Sequence, residues 1–152
     1  MSFKAFSFAR RAVLDIFSQA TTEQLDAIPE NYNNNIRWNV GHLLVVADWA
    51  LHHTDRFEHE IPKHYGSFFQ PGTSPKNWSG DVPSQKELSN LLREQHDAMK
   101  ELTEKHDLFE PIARPLELKG TTFATIDELI GFLTYHEGLH YQTLKLLMRL
   151  TK

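Results

Sequence analysis

Apolar residues recur at steps of three and four from Ile126 to Leu147, and this periodicity constrains the fold more than any other feature of the sequence. Thr125 and Glu128 have the spacing of a capping box, which predicts that a helix starts here. One face of this helix carries Ile126, Leu129, Ile130, Leu133, His136, His140, Leu144 and Leu147. A long helix with one apolar face must be covered by other elements, so the rest of the chain has to supply them.

Three further segments have helical patterns that could cover this face. They comprise residues 3–20, 39–58 and 84–106. Asn39 is predicted to be the N-cap of the second helix, which places His42 in its first turn. Ser84 and Glu87 form a capping box for the third. Four amphipathic helices and no convincing strand predict an all-α fold, an antiparallel four-helix bundle, and the length predicts a single domain over residues 1–152.

Two connections between the predicted helices differ in character. Residues 60–83 form a long loop that is rich in aromatic side chains, and this content argues against disorder. We expect this loop to lie over the bundle and to help shape a pocket. The connection from Leu108 to Ala124 alternates short apolar and polar stretches around Lys119 and Gly120, which is compatible with a small extended turn.

The net charge and the N-terminal segment indicate which partners and which cellular location to expect. The formal net charge is −4, so the chain lacks the basic character that neutralises nucleic-acid phosphates. Lys4, Arg10 and Arg11 interrupt the apolar residues near the N-terminus, which therefore does not read as a signal peptide or a membrane span. We expect a cytoplasmic protein with no nucleic-acid or membrane partner.

Histidine is abundant, with nine residues, whereas cysteine is absent, so a metal ion would have to be bound by histidine or carboxylate. His136 and His140 lie four positions apart inside the apolar stripe, so their rings share one face of the helix. Buried imidazole nitrogens need partners, and a metal ion would supply one for each ring. Hydrogen bonds to the backbone would do the same, and the pair alone leaves both interpretations open.

A third histidine favours the metal interpretation, because His42 precedes a strongly apolar run and is expected to point inward. The segment from His136 to His140 also has the H-E-x-x-H pattern of zinc proteases, in which the glutamate activates water. Those enzymes need a further ligand downstream, and here no acidic residue or histidine follows His140. The predicted ligands are therefore His42, His136 and His140, while Glu137 is predicted to be either exposed or a partner of a ligand.

The remaining histidines are predicted to have no metal. A cluster near the end of the second helix, made of His52, His53, His59 and His64, could suggest a second metal site. Histidine near a helix C-terminus interacts favourably with the helix dipole, so we predict a solvated helix end instead. His96 and His106 are predicted to be exposed.

Two motifs together resemble a known family. The W-x-V-G-H-L segment around His42 and the H-E-x-x-H segment of the last helix are similar to the DinB/YfiT-like metalloprotein superfamily, and the resemblance covers essentially the whole chain, including the loop GTSPKNWSGDVPS. It implies a four-helix bundle, a homodimer, and a divalent metal held by His42, His136 and His140. It also implies thiol-dependent chemistry, because characterised members join a low-molecular-weight thiol such as bacillithiol to an electrophile or catalyse a thiol-dependent isomerisation.

Three imidazole ligands leave open positions on an ion, which is typical of a catalytic site. The sequence therefore predicts a metal-dependent enzyme that acts on a small molecule, with thiol transfer implied by the resemblance. A metal-dependent hydrolase and a non-catalytic metal-binding bundle are the alternatives. Zn and Ni are the first choices of metal, and Fe, Mn or Cu also suit such ligands. Metal release is expected as the pH falls below about 6.5.

Overall fold

Six α-helices and one β-hairpin make up residues 2–152, the part of the chain that the computed structural model describes. The helices are α1 (Phe3–Ser18), α2 (Thr22–Asp26), α3 (Ile36–Leu51), α4 (Tyr65–Phe69), α5 (Gln85–Lys105) and α6 (Ile126–Leu150). The strands β1 (Pro111–Leu118) and β2 (Thr121–Thr125) are antiparallel. Short 3₁₀ turns occupy His52–Thr54 and Pro75–Asn77.

The four long helices share an apolar core. Helices α1 and α3 each pack against both α5 and α6, as the sequence periodicity predicts for helices with one apolar face. The most deeply buried apolar side chains include Phe6, Phe17, Leu44, Leu51, Leu88, Met99, Ile130, Leu133 and Leu144. The chain is thus mostly helical, and the antiparallel direction of the four long helices stays a prediction.

Side-chain caps begin several helices as predicted. Ser84 accepts a hydrogen bond from the Glu87 amide, and the Glu87 carboxylate accepts one from the Ser84 amide. Thr125 accepts a hydrogen bond from the Glu128 amide at the start of α6, although the Glu128 carboxylate accepts from Ala124 rather than from Thr125. These caps confirm the starts of α5 and α6.

Helix α3 begins one turn earlier than predicted and ends earlier too. Its N-cap is Asn35, whose side-chain oxygen accepts a hydrogen bond from the Trp38 amide at 2.8 Å. The assignment of Asn39 as the cap is therefore wrong, and His42 lies in the second turn. The helix ends at Leu51 because a 3₁₀ turn follows and Asp55 has the left-handed conformation, with φ of 54°.

A β-hairpin between α5 and α6 corrects the all-α prediction. The turn residues Lys119 and Gly120 both have positive φ, 49° and 77°, which is the requirement of a tight hairpin turn. Ile112 and Leu116 are buried against the helices. The small extended turn predicted for residues 108–124 is confirmed and is longer than expected, because apolar residues that the hairpin can bury lie on both sides of the turn.

The long connection at residues 60–83 packs onto the helices, as predicted from its aromatic residues. It contains α4, whose Tyr65, Phe68 and Phe69 are buried, and the Trp78 ring lies 5.7 Å from the Phe69 ring. Gln70 and Pro71 line a cavity beside the core, so this connection helps to shape a pocket. Across residues 2–152, none of the helices has the length and apolarity that a membrane crossing requires.

Candidate metal centre

All three predicted ligands come together between α3 and α6. One ring nitrogen each of His42, His136 and His140 lies within 4.8 Å of the others. The ring centroids are 4.6 to 5.1 Å apart. His42 is buried and the other two are half-buried. The role of these residues as metal ligands stays a prediction, but the convergence that it requires is present.

His42 is oriented by the chain that follows α4. Its Nδ1 donates a hydrogen bond to the Phe69 carbonyl at 2.7 Å, and its ring stacks on Trp38 with a centroid distance of 4.6 Å. Trp38 donates in turn from Nε1 to the Thr73 hydroxyl. Because Nδ1 carries the hydrogen, Nε2 of His42 is the nitrogen whose lone pair remains for a metal ion.

His140 is oriented by Asn39, a residue whose role the sequence analysis missed. The Asn39 amide nitrogen donates to the Asn35 carbonyl and to the Asn34 side chain, so its oxygen accepts the 2.7 Å hydrogen bond from His140 Nδ1. This bond again leaves Nε2 for a metal ion. Asn39 lies three residues before His42 on the same face of α3, and this spacing is the signal that could have revealed it.

The cluster favours neutral imidazoles. Burial lowers the pKa of His136 to about 3, helped by the nearby His140, His42 and Arg10. Burial, together with His42, lowers the pKa of His140 to about 4. The pKa of His42 is also lowered by burial. Neutral nitrogen donors near pH 7 are what a divalent transition ion requires, so this set of residues fits a metal ion.

These pKa shifts predict a pH-dependent stability for the metal-free protein. Between about pH 4 and 6.5 the unfolded chain binds protons at these histidines and the folded chain does not, so the free energy of unfolding falls as the pH falls. Between about pH 7 and 5 we expect a loss of about 2 kcal/mol for each of His136 and His140. Urea denaturation at several pH values in the presence of a chelator measures this loss in the free energy of unfolding.

The control for this measurement is His136→Gln, which removes one titrating group. Its stability should fall less steeply with pH than that of the wild type, and parallel curves would contradict the assignment.

The same pKa shifts lower the pH at which metal release is expected. Protonation of the folded site competes with metal well below the pH of about 6.5 that free histidine suggests.

Glu137 is buried and is paired with Arg10 rather than with one of the three histidines. Its Oε1 accepts hydrogen bonds from Arg10 Nη2 at 2.6 Å and from Nε at 3.1 Å. Arg10 also donates to Gln95 and to the Leu92 carbonyl, and Gln95 donates to the Leu44 carbonyl. The prediction that Glu137 could be exposed is therefore wrong. Its carboxylate links α6 to α1, and through Arg10 to α5.

The other histidines lie outside the cluster. His52 donates from Nδ1 to the Asp48 carbonyl and His53 to the Arg114 carbonyl, at the end of α3. Among the residues that the structure describes, His42, His136 and His140 are the one group of side chains placed closely enough to hold a metal ion. His96 is not exposed as predicted, because its side chain lies 2.8 Å from the Ser7 hydroxyl and is 16% accessible.

Gly41 determines how closely α4 approaches the centre. A Cβ atom at this position would overlap the Phe69 ring, whose backbone carbonyl orients His42. Gly41→Ala is therefore expected to lower the free energy of unfolding by about 1–3 kcal/mol through overpacking, and to weaken metal binding. Thermal denaturation and metal titration measure the two effects.

Gly138 provides the matched control, because it lies in the same cluster-bearing helix as His136 with open space around it. Gly138→Ala should leave metal binding unchanged and stabilise α6 by up to about 1 kcal/mol. A Gly41 variant with the properties of the Gly138 variant would contradict the proposed packing.

The fold and the cluster together define a helical protein with a candidate three-histidine metal site. The chain belongs to the DinB superfamily, whose family model matches residues 5–144. Its fold is similar to that of a solved structure of a conserved protein from Enterococcus faecalis, with a TM-score of 0.68 and 14% sequence identity. That match covers 99% of this chain and 94% of the other. No match to a curated protein was found.

Proposed function

We propose that this protein is a divalent-metal-dependent enzyme that joins a low-molecular-weight thiol to an electrophilic small molecule. The observation that carries the proposal is the convergence of three imidazoles, two of which line a cavity. An ion with only three protein ligands keeps positions for an exchangeable group, unlike a closed structural site.

His42, His136 and His140 are the residues that would hold the ion, with Zn or Ni as the first candidates. A divalent ion held there supplies Lewis acidity, which lowers the pKa of a thiol or of water. In the proposed reaction a sulfur–carbon bond forms and the thiol loses its proton. The electrophile either takes up that proton or releases a leaving group.

The chain's own residues prepare this chemistry. Asn39 and the Phe69 carbonyl hold His140 and His42 in one tautomer each, so that Nε2 of each ring has the lone pair that a metal ion requires. The side chains beside His42 and His136 in the cavity wall are mostly apolar, which disfavours water there. The chain contains no cysteine, so the thiol has to come from a cosubstrate.

A non-catalytic role is the second candidate, and one observation favours it. The ligands come from two different long helices, so an ion would connect α3 to α6. Such a connection should make the melting temperature depend strongly on metal, whereas a catalytic site in a well-packed core should depend on it little. Thermal denaturation with and without a chelator separates the two roles.

A metal-dependent hydrolase remains the alternative reaction at the same residues.

The decisive test combines metal content with activity. Protein purified without an affinity tag should contain one divalent ion per chain by elemental analysis. It should then conjugate a thiol such as bacillithiol to reactive small electrophiles faster than the uncatalysed reaction does, and His42→Ala should abolish the difference. Full metal occupancy without any thiol-dependent conjugation would contradict the transferase and favour the alternatives.

The proposal extends to a homodimer, which the family resemblance implies. Several apolar side chains of α6 are exposed, among them Tyr135, Leu139, Leu146 and Leu150. An exposed apolar stripe on one helix suits an interface with a second copy. Sedimentation velocity should show a dimer that Leu139→Lys disrupts, and a wild-type protein that sediments as a monomer at all concentrations would refute it.

A further inference from the structure

The cavity beside the three histidines has walls of a particular chemistry. Its volume is about 460 Å³, which lies in the range of small-molecule sites. Its apolar walls come from α3, from the segment that follows α4, from strand β1 of the hairpin, and from α6. They consist of Val45, Val46, Trp49, Pro71, Leu118 and Phe132.

The cavity has few polar groups. His42 and His136 border it, and Gln70 adds a side-chain amide. None of the described residues that line it carries an Asp, Glu, Lys or Arg side chain. The nearby Arg10 is fully buried and forms an ion pair with Glu137, so its guanidinium does not serve as a cationic partner for a ligand in the cavity.

The apolar side chains of the cavity wall form a continuous surface that begins next to His42 and His136 and continues to Trp49. Val45, Val46 and Trp49 follow His42 by three, four and seven residues, and so continue its face along α3. Phe132 precedes His136 by one helical turn, and its ring stacks on the imidazole at 6.1 Å. An apolar corridor therefore leads from the histidine pair toward Trp49, which is 46% exposed.

We infer that this cavity binds the electrophile, and that the part of the electrophile held there is apolar and uncharged. The inference rests on the proposed function and names its substrate class. A carboxylate or phosphate held against these walls, away from the ion, would lose water without gaining a cationic side chain, which disfavours it strongly. Low-molecular-weight thiols such as bacillithiol carry carboxylates, so their charged parts lie outside these walls.

Binding of a matched pair of ligands to the full-length chain tests the inference. 4-Nitroanisole is uncharged, and 4-nitrobenzoate has a similar ring with a carboxylate. Methyl NMR shifts of Val45, Val46 and Leu118 should report saturable binding of 4-nitroanisole that is at least tenfold tighter than that of 4-nitrobenzoate. The titrations are made with a chelator and repeated with zinc, because a carboxylate can also coordinate the ion.

Two variants with the same substitution locate the effect. Trp49→Lys places a cation at the outer end of the cavity and should reduce the preference for 4-nitroanisole at least tenfold. Phe8→Lys changes another exposed aromatic residue, one that is 77% accessible and outside the cavity lining, and should leave the preference unchanged.

The outcomes separate this inference from the proposed function. Without metal, equal affinities, tighter binding of 4-nitrobenzoate, no saturable binding of 4-nitroanisole, or a preference that Trp49→Lys does not alter would each overturn the inference. The chelator titration needs no bound ion, so a protein that fails to bind metal can still confirm the apolar site. A protein that binds metal and conjugates thiols but fails this titration would refute the cavity assignment alone.

Discussion

Metal affinity is expected to fall by at least about a hundredfold when His42, His136 or His140 is replaced by alanine. Each substitution removes one of three converging nitrogen donors, and the two that remain hold a divalent ion poorly. Asn39→Leu should have a smaller effect of about 10–100-fold, because it removes only the hydrogen bond that orients His140. Competition with a chromophoric zinc chelator measures these affinities.

The controls for this series are His52→Ala and His53→Ala. Both residues lie in the 3₁₀ turn that follows α3, and their rings donate to backbone carbonyls outside the cluster. They should leave the affinity within about twofold of the wild type. If their loss equalled that of the cluster variants, the ligand assignment would be wrong.

Replacing Glu137 by glutamine is expected to lower the free energy of unfolding by about 3–5 kcal/mol. Arg10 and Glu137 are both almost fully buried, and the substitution leaves the Arg10 guanidinium without a counter-charge. Burial of an unpaired charge is among the most destabilising changes known for a folded protein. Urea denaturation at neutral pH provides the measurement.

An exposed ion pair in the same chain supplies the comparison. Arg114 and Asp55 also lie 2.6 Å apart, but both side chains are about half-exposed. Asp55→Asn should change stability by no more than about 1 kcal/mol, and asparagine tolerates the left-handed backbone there. Similar losses for the two variants would show that burial is not what makes the Arg10–Glu137 pair important.

A double variant, Arg10→Met with Glu137→Leu, should recover part of the lost stability. Removing both charges removes the unpaired ion. The recovery is incomplete because the Gln95 side chain and the Leu92 carbonyl lose the donor that Arg10 provides.

The helical part of the fold and the histidine cluster follow from local patterns in the sequence. Apolar periodicity located α6, and the Ser84 and Thr125 caps marked the starts of α5 and α6. The inward direction of His136 and His140 followed from their place in an apolar stripe. These features depend on residues three or four apart, which is the range over which sequence spacing determines relative position in a helix.

Features that depend on distant contacts were not predictable in the same way. Asn39 is a residue type that often caps helices, and its spacing from His42 places it on the same face of α3 without showing that its partner is His140 on another helix. The sequence predicted that Glu137 is either exposed or a partner of a metal ligand, whereas its actual partner, Arg10, lies 127 residues away in sequence. The sequence also contains no local signal that the Phe69 carbonyl meets His42.

The hydrogen bond from His42 to the Phe69 carbonyl also predicts an order of assembly during refolding. His136 and His140 acquire their relative position as soon as one turn of α6 forms, whereas His42 can be oriented only after a segment 27 residues downstream has docked. The complete set of ligands is therefore expected only late in refolding, and a partly folded chain in which α6 has formed presents two of the three histidines. Stopped-flow refolding in which tight zinc uptake follows the recovery of helical signal would show this order, and simultaneous recovery would contradict it.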